Sequence, residues 1–144
     1  MNLTSPAFTS GDAIPKRFAC DGADVSPALE ISDLPAGTAC LALVMDDPDA
    51  PVGTWDHWVA YDIPSATTIP EGVKALGTPG RNSWRKPGYG GPCPPFGEHR
   101  YFFRVYALDQ ATGLAPGASK KQLLEAMRGH VLAEATLMGR YTRP

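Results

Sequence analysis

Three carboxylates, Asp46, Asp47 and Asp49, fall where an apolar run gives out into Pro48 and Pro51. If several faced one cavity, their repulsion would raise a carboxyl pKa or call in a cation. In a turn, the same residues would instead cap loop N–H groups. His57 lies further on, inside a second apolar run, where it is either a packed core histidine or a pocket residue. His99 follows a loop rich in glycine and proline and precedes Tyr101, a position from which loops deliver groups to a pocket rim. His130 lies away from any polar cluster and is expected to be structural or exposed. Carboxylates and imidazoles together suit Zn or Fe, and such pairs also move protons. A metal-assisted or acid–base enzyme using Asp47, Asp49, His57 and His99 is therefore one reading. The spacing specifies neither chemistry. There is no HExxH, Ser26 and Ser83 carry no nucleophile-elbow signature, and no Gly-rich phosphate loop occurs. Two imidazoles, a tyrosine and loop N–H groups are better suited to gripping an anion, with Gly90 and Gly91 letting the backbone come close.

Strands must position these residues. ACLALVMDD, residues 39–47, is apolar at consecutive positions through Met45, which predicts a central strand covered on both faces. WDHWVAYDI, residues 55–63, predicts a second strand. Strict alternation puts Trp55, His57, Val59 and Tyr61 on one face and Asp56, Trp58, Ala60 and Asp62 on the other. YFFRVYAL, residues 101–108, is the third, with Tyr101, Phe103, Val105 and Ala107 sharing a face. The first 35 residues read as short strands and turns, and residues 65–97 mostly as loop. Ser119 and Gln122 form a capping box that opens a helix, with Leu123, Leu124, Met127 and Val131 at helical spacing. A break near Gly129 would leave residues 136–142 as a last short strand, the alternative being an unbroken helix to Gly139. Only nine residues separate Met45 from Trp55, too few and too proline-rich for the crossover helix of a doubly wound fold. The expectation is a mainly β sandwich in a single domain, residues 1–144.

The 144 residues (15.3 kDa) suffice to bury a core without a metal or a disulfide. Fifteen glycines and fifteen prolines without a period indicate many turns and shaped loops. A net charge of −2, from 13 basic and 15 acidic residues, offers no field for nucleic acid or an anionic membrane. The basic clusters Arg81, Arg85, Lys86 and Lys120, Lys121 read as solvated faces. No apolar run reaches membrane-spanning length, and the N-terminal residues carry no signal-peptide pattern as they stand. Cys20, Cys40 and Cys93 lack metal-ligand spacing, and at most one pair of them can be bridged. Reduced thiols in a cytoplasmic protein are the expectation.

The order of segments carries more. DPDAP (47–51), DHW (56–58), GPCPP (91–95) and GEHRY (97–101) together resemble the phosphatidylethanolamine-binding protein family, in its bacterial and archaeal Raf-kinase-inhibitor-like branch. The likeness runs from about Ser5 to Tyr141. It implies a large central antiparallel sheet, a smaller flanking sheet, a late helical segment, and a pocket for small anions such as phosphate, acetate or a phospholipid headgroup. By the resemblance the pocket residues are Asp47, Asp49, His57, Gly91, Pro92, His99 and Tyr101, with a cis peptide near Pro48 or Pro92 and a homodimer as the assembly. Asp56 stands where many relatives place another histidine, which makes this pocket more acidic. Animal members act on kinases and lipids, plant members regulate flowering, and others inhibit carboxypeptidase, through surfaces outside the pocket. The functional expectation is non-catalytic binding of a small anion or phospholipid headgroup, without a metal or other cofactor. A regulatory protein inhibiting a kinase or protease partner is the alternative beside the enzyme already named. Neither nucleic acid nor integral membrane association is expected.

Overall fold

The computed structural model describes residues 1–144 and is mainly β. Eight strands and one helix follow in the order β1 (Asn2–Thr4), β2 (Leu29–Ser32), β3 (Cys40–Asp47), β4 (Trp55–Pro64), β5 (Thr68–Ile69), β6 (Thr78–Pro79), β7 (Glu98–Leu108), α1 (Lys120–Met127) and β8 (Val131–Thr142). A five-stranded antiparallel sheet has the order β6-β4-β3-β7-β8, and a three-stranded one the order β1-β2-β5. No helix is long and apolar enough to cross a membrane.

The central place of β3 follows from its composition. Every residue of Cys40–Asp47 is buried. Leu41, Leu43 and Met45 face the core between the two sheets, while Cys40, Ala42 and Val44 face a smaller cluster closed by Leu123 and Met127 of α1. The capping box forms as the sequence predicts: the Gln122 N–H donates to Ser119 Oγ (3.2 Å), and the Ser119 N–H donates to Gln122 Oε1 (2.9 Å).

Several expectations need correction. Val131 is no helix residue: α1 stops at Met127, Gly129 takes φ +81°, and the chain enters a twelve-residue final strand, longer than residues 136–142. The left-handed Gly129 turns the chain out of the helix, and long pairing with β7 then holds it extended. Residues 65–97 are mostly loop as expected, interrupted by two short strands: β5 completes the small sheet and β6 pairs with β4. No peptide bond is cis, at Pro48, Pro92 or elsewhere. Asp47 Oδ1 instead accepts the Asp49 N–H (2.8 Å) and closes the Pro48 turn with trans bonds.

The cysteines are not all reduced. Cys20 and Cys93 form a disulfide, Cα–Cα 5.5 Å apart, while Cys40 is free and buried. The fold carries the loop before β7 onto the turn after the 3₁₀ segment Lys16–Phe18, and no sequence spacing reveals that contact. The expectation of a cytoplasmic location rested on reduced thiols and loses that support.

Candidate ligand-binding pocket

A cavity of about 330 Å³ opens at the end of the large sheet, and Asp47, His57, His99 and Tyr101 line its polar side. Strand register brings three of them together. His99 and Tyr101 lie on the core-facing side of β7 with Phe103, and Asp47 lies on the matching side of β3 with Met45. His57 comes by a different route. Met45 pairs with Trp58 and Asp46 with Asp56, so His57 is an extra residue in β4, a β-bulge. The bulge breaks the alternation expected from sequence. His57 leaves the side of Val59 and Tyr61 and stands edge-on to Tyr101, with ring centroids 5.2 Å apart.

An ion cluster on the opposite face braces the bulge. Asp46 and Asp56 face each other across the strands, and Lys120 Nζ reaches both, at 3.1 and 2.7 Å. Arg104 adds a second cation on Asp46 (2.9 Å). Burial works to lower the Lys120 pKa, but its hydrogen bond to Asp56 and the charge of Asp46 outweigh burial and hold it above the ordinary value.

Hydrogen bonds fix the tautomers of both histidines. His57 Nδ1 lies 2.8 Å from the Gly90 carbonyl, which can only accept, so Nδ1 carries the proton. His99 Nδ1 likewise donates to Asp47 Oδ2 at 2.7 Å, with both side chains almost fully buried. Nε2 remains as the free nitrogen of each ring. Burial lowers the His57 pKa, only partly opposed by the Gly90 carbonyl and the Asp47 charge, so its ring is neutral near pH 7. The Tyr101 phenol is pushed up by burial and then by the Asp47 charge, and it stays protonated. Its hydroxyl is buried without a hydrogen-bond partner, as is Trp55 Nε1 on the same cavity.

Residues 4–142 of the chain match the family described as phosphatidylethanolamine-binding protein. The chain belongs to that family. Among its relatives, a UPF0098 protein of Methanothermobacter thermautotrophicus is 49% identical, with 99% of each chain covered. A UPF0098 protein of Aquifex aeolicus is 47% identical over 99% of this chain and 89% of its own length. Solved structures agree in fold. A phosphatidylethanolamine-binding protein homologue of Chlamydia trachomatis superposes with a TM-score of 0.96 at 42% identity, covering 99% of this chain and 97% of its own. E. coli YbcL, a member of the mammalian family by its description, gives 0.92 at 28% identity, covering 99% and 98%.

Not every residue expected from the resemblance reaches the cavity of this family member. Asp49 turns away: its Oδ2 accepts both the Arg100 N–H and Nε–H (each 2.9 Å), and its Oδ1 accepts Nη2–H (2.8 Å). The four side chains weighed as metal ligands therefore do not converge. Gly91 and Pro92 are buried behind the cavity rather than along it. The Gly91 N–H donates to Asp24 Oδ1 (2.8 Å), and a Cβ on Gly91 would meet that oxygen at 2.5 Å, so its bareness serves chain packing. The Pro92 carbonyl accepts the Cys20 N–H (3.0 Å). Sequence reasoning missed Trp84, Pro94, Pro95 and the loop residues Ala50, Pro51 and Val52, which form the apolar wall. For Trp84 the available signal was a large aromatic side chain stranded in a Gly/Pro-rich loop.

The Asp49 pair makes a testable contribution. The hydrogen bonds from Arg100 hold the Asp49 pKa down, from 3.8 to about 2. A lowered carboxyl pKa stabilises the fold above the unfolded value, and that stability is lost as pH falls from about 4 to about 2. Arg100 is half exposed, so screening reduces the effect to about 1 kcal/mol. Urea unfolding of wild type and Asp49→Asn should differ by about that amount at pH 6 and converge near pH 2.

Proposed function

We propose that the protein binds a small anion, free or as the headgroup of a phospholipid, among Asp47, His57, His99 and Tyr101, without chemistry on it. The Tyr101 hydroxyl carries this reading. A buried donor without a partner costs about 1–3 kcal/mol, and an anion oxygen in the cavity would satisfy it. Trp55 Nε1 offers a second such donor. Support for a non-catalytic role comes from the lining, which includes no serine, threonine or lysine and whose one cysteine is in the disulfide. Asp49, Gly91 and Pro92 serve the site indirectly, by fixing the two loops around it.

The test is an NMR titration with orthophosphate and with phosphorylethanolamine. Resonances of His57, His99 and Tyr101 should move; their silence with both ligands would sink the assignment. The neutral His57 adds a pH dependence. Its free Nε2 is an acceptor, and it becomes a donor to an anion only on taking up a proton. Affinity for acetate, which stays ionised throughout, should therefore fall between pH 6 and pH 8, by up to about ten-fold per pH unit for each proton taken up. Isothermal titration calorimetry in buffers of different ionisation enthalpy counts that proton.

A regulatory protein that docks on a kinase or protease is the second reading. Val52 and Phe96 favour it, being 82% and 74% exposed on the two loops beside the cavity. Phe96→Asp should then weaken inhibition of such an enzyme.

A further inference from the structure

Trp84 is 40% exposed, yet the chain around it is organised to hold it still. Asn82 is buried, and its side-chain oxygen accepts the N–H groups of Trp84 (3.0 Å) and Lys86 (3.1 Å) while its amide donates to the Gly88 carbonyl (3.2 Å). The backbone closes a tight turn, with the Arg85 N–H on the Asn82 carbonyl and the Asn82 N–H on the Lys86 carbonyl. That turn forces Arg85 to φ +61°, a left-handed conformation that glycine would adopt without steric cost. Across from the indole, a Cβ on Gly90 would stand 2.8 Å from Trp84 Cε3, so the ring's position requires bare backbone there. The ring packs edge-on against His57 (4.9 Å, 86°) and Trp55 (5.6 Å, 78°).

The indole borders two cavities. One is the pocket already described; the other, of about 390 Å³, is bordered by Asp24, Asn82, Lys86, Tyr89, Gly90 and Gly91. Lys86 makes no ion pair, and the carboxylate on the same cavity, Asp24, accepts the Gly91 N–H.

We propose that Trp84 is the specificity-determining residue of the pocket. Its indole and Cys93 line both cavities, and the indole, as the larger wall, restricts the site to small anions whose substituent leaves on the side of the exposed Val52. The inference rests on the anion-binding reading above. Anions with a bulky aryl group attached directly to the phosphate or sulfonate are excluded by the ring, and removing it opens them a path towards Lys86.

The test compares orthophosphate with 1-naphthyl phosphate on wild type, Trp84→Ala, Trp84→Phe and Gly90→Ala, with folding checked by circular dichroism. Trp84→Ala should bind 1-naphthyl phosphate at least about ten-fold more tightly than wild type, the scale on which a hydrophobic wall discriminates. Because the indole also packs against His57, orthophosphate affinity is measured on every variant and the gain is read as the ratio of the two affinities. Trp84→Phe keeps a ring against His57 and should stay near wild type. Gly90→Ala displaces the indole without deleting it, and should gain naphthyl phosphate binding even if Trp84→Ala folds poorly. No gain in whichever of the two variants folds, or an equal gain in Trp84→Phe, overturns the partition. Orthophosphate failing on every protein would overturn the anion reading instead, while the gain for 1-naphthyl phosphate would still decide the role of Trp84.

Discussion

Breaking the Cys20–Cys93 bridge, by reduction or as Cys93→Ser, should lower the melting temperature by about 10 °C. The bridged residues are 73 apart in sequence. Closing a loop of that length removes up to about 4 kcal/mol of chain entropy from the unfolded state. Other native contacts join the same two segments, so most of the effect should be felt through the unfolded chain. The Cys20 N–H donates to the Pro92 carbonyl, the Tyr89 hydroxyl to the Phe18 carbonyl (2.8 Å), and the Gly91 N–H to Asp24. Thermal unfolding with and without reductant measures the difference, and a Cys40→Ser control keeps the buried free thiol out of exchange. Identical melting in the two conditions would show that the bridge does not contribute to the folded protein in solution. Cys93 also borders the cavity, so reduction should loosen the loop carrying Pro94 and Pro95 and weaken anion binding together with stability.

Asp47→Ala should cost about 1–3 kcal/mol, because it leaves the buried His99 Nδ1–H without its acceptor. The pair is 2.7 Å apart, with side chains 4% and 7% exposed, on the polar side of the cavity. The same change removes the acceptor of the Asp49 N–H and opens the Pro48 turn. Asp47→Asn separates the two losses. An asparagine amide can donate to His99 Nδ1, which moves the proton of the neutral ring to Nε2 while keeping the two side chains joined. The ring nitrogen chemical shifts of His99 should therefore report an Nδ1–H tautomer in wild type and Nε2–H in Asp47→Asn. Urea unfolding should place Asp47→Asn well above Asp47→Ala in stability. Equal stability of the two variants would mean that the carboxylate–imidazole contact does not hold this corner of the sheet.

Much of this molecule is written in short stretches of its sequence. The unbroken apolar run of residues 40–45 can be satisfied only by a strand covered on both faces, and β3 is that strand. Ser119 and Gln122 specify the start of α1 through bonds three residues apart. Asp47, His57, His99 and Tyr101 stand out as polar groups at the ends of such strands, and the order of their motifs carries the family. These are local signals, set by side-chain alternation and capping. Other features depend on which distant segments meet. The bulge that swings His57 to the cavity exists because β4 must pair with β3 on both sides of it while Lys120 pins Asp46 and Asp56 together. Asp49 belongs to Arg100 rather than to the cavity because the turn after β3 lies against the start of β7. The disulfide, the packing role of Gly91 and the partition made by Trp84 likewise arise where loops far apart in the chain are pressed together. Residue types and their spacing determined the strands and the polar groups at their ends; only tertiary contact decided which of those groups face one cavity, because register and loop packing are set between segments and not within them.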